Sequence, residues 1–67
     1  MPRIPINAAR VAAGLTQEQL AEKMGVSRST VIDWETNERQ MRIPYVKLFC
    51  QITGFDVDDL ILPKDNT

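Results

Sequence analysis

Apolar residues recur along this chain at the three- and four-residue spacing of helices that bury one face, and no stretch alternates as a half-buried strand does. Leu20, Ala21 and Met24 make one such set, Val31 and Trp34 a second, and Tyr45, Leu48, Phe49 and Ile52 a third. Gly14, Gly25 and Gly54 each follow a segment of this kind, at the place where helices end in a left-handed residue. Reading back from them predicts helices over 6–13, 17–24 and 45–53. The starts agree: Thr16 and Gln19 are spaced as a capping box, and Pro44 suits a first helical turn, where its missing N–H costs nothing. A third helix, capped by Ser27 and running to Glu35, fits between Gly25 and the polar stretch 36–38. Asp56 is positioned as the N-cap of a short last helix over 57–61, stopped by Pro63. The expectation is an all-α fold of five helices in a single domain over 1–67, packed from about 6 to 62, with 63–67 as a loose tail. Phe55, Val57, Leu60 and Ile61 complete the predicted core, and Cys50 beside the fourth-helix stripe reads as a small, inert hydrophobe.

Little more than Gly25 and Val26 joins the second and third helices, and so short a connection forces two packed helices to cross sharply. This is the geometry of a helix-turn-helix. At about 100° per residue, Trp34 and Glu35 share the Val31 side of the third helix, whereas Ser29 and Asp33 point away, flanked by Thr30, Ile32 and Thr36. Arg28 sits on the border in the first turn, with a side chain long enough to swing outward. With Leu15-Thr16-Gln17, Leu20-Ala21, Gly25-Val26-Ser27 and Trp34-Glu35 in place, the run from Gly14 to Asn37 resembles the Cro/CI-type (XRE) helix-turn-helix family of phage repressors and bacterial regulators. The likeness extends from about Ile6 to Leu62. It implies a compact, five-helix, lambda-repressor-like bundle, in which the start of the third helix enters the DNA major groove.

By position, that resemblance puts Ser27, Arg28, Ser29 and Asp33 at the bases. A helix of this length spans about 12 Å, comparable to the ~12 Å groove. An arginine can grip a guanine edge with two hydrogen bonds, a serine is permissive, and an aspartate can accept from a cytosine amine. The plainer readings are that Ser27 only caps, Arg28 touches a phosphate and Asp33 is a solvated carboxylate. Unless a base donor or Arg28 compensates, the phosphates repel Asp33. Gln17 matches the family's residue that holds the DNA backbone at the start of the second helix, and Thr16 and Thr30 are assigned with it. Asn37, Arg39 and Arg42 resemble a second backbone-contacting strip, against the plainer reading of a solvated charged loop. The likeness pairs Arg10 with Glu35 as a partly buried ion pair, since an unpaired carboxylate on the core side of the third helix is costly. Met41, Ile43 and Phe55 are expected at a dimer contact. A two-fold dimer places two reading helices about one DNA turn, ~34 Å, apart and demands a near-palindromic operator.

Composition narrows the field and raises one objection. Without histidine and with one cysteine, the chain can build neither the usual zinc sites nor an internal disulfide. No nucleophile has an evident base and there is no glycine-rich phosphate loop, so an enzyme is not expected, nor any cofactor, metal or small-molecule ligand. Asp56-Val57-Asp58-Asp59 lacks the glycine and terminal glutamate of a calcium loop. The start has no signal-peptide run and no segment is apolar enough to span a membrane, which points to the cytoplasm. The objection is a net charge of −1, unusual in a nucleic-acid binder. The charge divides, however, into +2 through Thr53 and −3 from Gly54 onward, outside the helices that would read DNA. The expected partner is double-stranded DNA, bound by a homodimeric transcriptional repressor. The alternative is a protein-interaction module, such as a toxin-partner or anti-repressor-like adaptor, whose acidic surface engages another protein.

Overall fold

In the computed structural model of the chain, residues 2–64 are described. They form β1 (Ile4–Pro5), α1 (Ile6–Ala12), α2 (Gln17–Met24), α3 (Arg28–Glu35), α4 (Ile43–Thr53), a single 3-10 turn at Val57–Asp59, and β2 (Leu60–Ile61). Local chemistry starts and stops the helices that matter most. Thr16 Oγ1 accepts from the Gln19 amide at 3.0 Å while the Thr16 amide donates to Gln19 Oε1 at 2.9 Å, a reciprocal cap on α2. Ser27 Oγ accepts from the Thr30 amide at 3.2 Å and starts α3. At the end of α2, Gly25 lies at φ 71°, the Val26 amide reaches Ala21 O at 3.0 Å, and the next helix begins three residues later.

The end of α3 has the same left-handed closure without a glycine. Asn37 adopts φ 67°, the Glu38 amide bonds Asp33 O at 2.8 Å and the Asn37 amide bonds Trp34 O at 3.3 Å. Its side chain adds a long-range tie, with Oδ1 accepting from the Lys64 amide at 2.8 Å.

One core joins the four helices and β2: Ile6 and Ala9 of α1, Leu20, Ala21 and Met24 of α2, Val31 and Trp34 of α3, Val46 and Phe49 of α4, with Met41 and Leu60. Tyr45 lies against Trp34, ring centroids 5.4 Å apart and planes tilted by 50°. Among the described residues, the Trp34 indole nitrogen is the one buried side-chain polar atom without a hydrogen-bond partner. No described helix is long and apolar enough to cross a membrane.

The C-terminal third departs from expectation. There are four α-helices among the described residues, not five, and a small parallel sheet pairs Ile4 with Leu60 and Pro5 with Ile61. The expected last helix closes one turn, with the Asp59 amide bonded to Asp56 O at 2.9 Å, and then Leu60 turns to extended backbone. Five residues are too few to propagate a helix, and Pro63 keeps its predecessor out of the helical region. In that extended form Leu60 drops into the core, 1% exposed. Of the expected tail over 63–67, Pro63 is buried and Lys64 exposed, and 65–67 lie outside the described residues. The start of α4 also moves, to Ile43, with Pro44 in its second position and extended Arg42 as N-cap. Met41, expected at a dimer contact, is 4% exposed and packs in the chain's own core.

Candidate nucleic-acid interface

Helix α3 is held from behind by Val31 and Trp34, which leaves Ser27, Arg28 and Ser29 exposed at its start and Asp33 partly exposed one turn on. Beside Ser27, the Thr30 hydroxyl lies 3.0 Å from Ser27 Oγ and is half-buried. Of the four residues read as base-facing, Ser29 and Asp33 point outward, Arg28 stands at the border toward α2, and Ser27 is the exposed cap of the same helix.

Behind this face runs a continuous polar chain. Arg10 Nε donates to Glu35 Oε2 at 2.6 Å, its Nη2 to Oε1 at 3.3 Å, and its Nη1 to Leu15 O at 2.8 Å. The side chains of Arg10 and Glu35 are only 14% and 7% exposed, so this pair works out of bulk water. Gln17 Nε2 donates to the same Glu35 Oε1 at 2.9 Å, and Gln17 Oε1 accepts from Arg28 Nη2 at 3.5 Å, a long contact. Sequence reading pairs Arg10 with Glu35 but leaves out Gln17, whose amide joins that pair to the reading helix. The signal was present: each carboxylate oxygen can accept more than one hydrogen bond, so Glu35 Oε1 has room for a second donor beside Arg10.

Beyond α3 the left-handed turn at Asn37 brings Arg39 back over Asp33. Arg39 Nη2 lies 3.3 Å from Asp33 Oδ2, and the Arg39 amide bonds Asp33 O at 3.2 Å. The side chain of Arg39 is 55% and that of Asp33 38% exposed. Asp33 therefore has a cationic partner, and it is Arg39 rather than Arg28. Asn37, expected at the DNA backbone with Arg39 and Arg42, uses its carbonyl oxygen to hold Lys64. Arg42 stays exposed at the start of α4.

Two clefts border α3. One, of about 460 Å³, lies at the start of α2 and is lined by Arg10, Thr16, Gln17 and Arg28. The other, of about 390 Å³, is lined by Thr30, Trp34, Arg39, Arg42 and Tyr45. The first holds the Thr16 hydroxyl and one carboxylate, Glu18, and with Arg10 taken up by Glu35 and Leu15 O it offers Arg28 to a phosphate oxygen; the second holds the Thr30 and Tyr45 hydroxyls with Arg39 and Arg42 and no carboxylate. A larger, more apolar groove of about 760 Å³ includes Ile43, Lys47, Cys50, Val57 and Leu62. Ile43 is 70% exposed there, while Phe55 is half-buried against the core. Burial, and after it the carboxylates of Asp56 and Asp59, push the Cys50 thiol above its ordinary value. Among the described residues no group of histidine, cysteine and acidic side chains is placed to hold a metal ion.

The helix-turn-helix family model matches residues 6–60. An uncharacterized HTH-type transcriptional regulator of Methanocaldococcus jannaschii is 32% identical over 57 residues, 85% of this chain and 86% of the relative. No solved structure matches the chain.

Proposed function

The chain belongs to the XRE-type helix-turn-helix family of DNA-binding transcriptional regulators, and from that premise we propose that it is a sequence-specific repressor that binds a near-palindromic operator as a dimer. The observation that carries this reading is the outward face of α3. Ser29 and Asp33 face away from the core, with Arg28 at the edge of that face, on a helix fixed from behind by Val31, Trp34 and the Arg10–Glu35 pair. In the major groove Arg28 grips a guanine edge, Ser27 and Ser29 contact bases permissively, and Asp33 accepts from a cytosine amine. Phosphates on either side sit against the two arginine-lined clefts, with Thr16 and Gln17 at one and Thr30 and Arg42 at the other, and with Asn37 close by.

Size supports two copies. The longest dimension, 28 Å, falls short of one DNA turn, ~34 Å, so one chain covers one half-site. Exposed Ile43 and the apolar groove beside it supply a surface for pairing on the DNA, with Phe55 nearby in the same C-terminal half.

Selection of bound sequences from a random duplex pool tests all parts at once. The expected product is a near-palindrome with half-sites about one turn apart. Enrichment of a lone half-site removes the dimer from the reading. A chain that enriches nothing and binds no duplex even at low salt is a protein-interaction module instead.

A further inference from the structure

We propose that Arg39 is a specificity-positioning residue: by pairing with Asp33 it lets an acidic side chain approach DNA and aims one carboxylate oxygen at a base. The proposal rests on α3 reading the major groove, and it goes beyond that reading in taking Arg39 away from the phosphates.

An aspartate on a groove-facing helix is repelled by the phosphates of both strands unless its charge is cancelled locally. The pairing that does this is anchored at two levels. The main chain of Arg39 is bonded to Asp33 O at 3.2 Å, and its guanidinium lies 3.3 Å from Asp33 Oδ2. Glu38 adds a second amide to the same carbonyl at 2.8 Å, and Asn37 at φ 67° makes the reversal that brings the loop back. Arg39 therefore reaches Asp33 from a backbone already in place, so that pairing costs side-chain freedom alone. Standing open to water, such a pair contributes little to stability. Against DNA, with water displaced, the same pair is stronger and Oδ2 stays engaged. Oδ1 is then the carboxylate oxygen left for a cytosine amine, so the geometry turns a solvated carboxylate into a directed acceptor.

The experiment is a double-mutant cycle on the selected operator. Wild type, Arg39→Ala, Arg39→Lys, Asp33→Ala and Asp33→Ala/Arg39→Ala are compared on that operator and on each base variant of it. Circular dichroism and Trp34 fluorescence establish that every variant is folded. Arg39→Ala is expected to lower operator affinity about tenfold, the scale of one charge-assisted contact. In the Asp33→Ala background the same change is expected to cost less than about twofold, the signature of coupled sites. Arg39→Ala and Asp33→Ala should relax preference at the same operator position, and Arg39→Lys should restore most of it. Equal losses in both backgrounds, spread evenly over all sequences and with a shallower salt dependence, make Arg39 an ordinary phosphate contact and overturn the proposal. A wild-type chain that selects no operator overturns the DNA reading itself, and the proposal falls with it, a result distinct from the first.

Discussion

The Arg10–Glu35 pair carries the clearest energetic consequence of any two residues. Removing one partner of a pair this buried strands the other charge, which costs about 3 kcal/mol or more. Arg10→Met should therefore lower Tm by more than roughly 10 °C in a domain of this size, read by the fluorescence of Trp34. Arg10→Met/Glu35→Leu should recover part of the loss, since no charge is then left without a partner; a double variant as unstable as the single one shows that stranding is not the cause. Cys50 gives a prediction in pH. Its thiol is pushed up by burial and by Asp56 and Asp59, so the folded state disfavours the thiolate relative to the unfolded chain. That contribution is fully present below the ordinary cysteine value of 9.0 and is lost as pH rises through the folded value. The stability of wild type relative to Cys50→Ala should accordingly decline as pH rises above about 9 in urea titrations. Arg10 and Glu35 are legible as a pair through the family resemblance, with the core-side angle of Glu35 in support. Arg39 is not, because its contact with Asp33 depends on a loop reversal that no periodicity encodes.

At the scale of elements, the turn after α3 shows what one residue can combine. Asn37 tolerates the left-handed backbone and also holds Lys64 through its side chain. Asn37→Gly keeps the first role and loses the second, at an expected cost of about 1 kcal/mol. Asn37→Ala loses both and should cost about 2 kcal/mol or more, the left-handed strain adding to the lost bond. Equilibrium unfolding of the two variants checks that order, and equal costs would assign the whole effect to the hydrogen bond. The helices α1, α2 and α3 were read within about a residue, and α2 at both ends, because caps and left-handed stops are local signals. The C-terminal segment was misread because Asp56 announces a first turn whether or not a second follows. The segment's length and Pro63 leave a second turn weak, and the pairing of Leu60 with Ile4, which lies outside any local window, holds Leu60 extended instead. The start of α4 slipped for a lesser reason: proline is as compatible with the second position of a helix as with the first.

For the molecule as a whole, the acidic C-terminal stretch and the near-neutral balance imply weak non-specific attraction to DNA, which on the proposed reading leaves discrimination to the few groups on α3. The small sheet has a consequence of another kind, in time. Ile4 and Leu60 are partners in register although almost the entire chain separates them, and Leu60 is among the most deeply buried side chains of the core. Closing a loop of that length costs on the order of 3–4 kcal/mol of chain entropy, far more than the turn between α2 and α3 requires. The three N-terminal helices therefore assemble ahead of this closure, and the sheet is the last part to lock. Leu60→Ala should then leave the refolding rate nearly unchanged and accelerate unfolding severalfold in stopped-flow measurements; a refolding rate that falls with stability would put Leu60 in the nucleus instead. During synthesis the same order means that the helices meant for DNA emerge and pair first, yet the nascent domain stays unlatched until its final residues leave the ribosome.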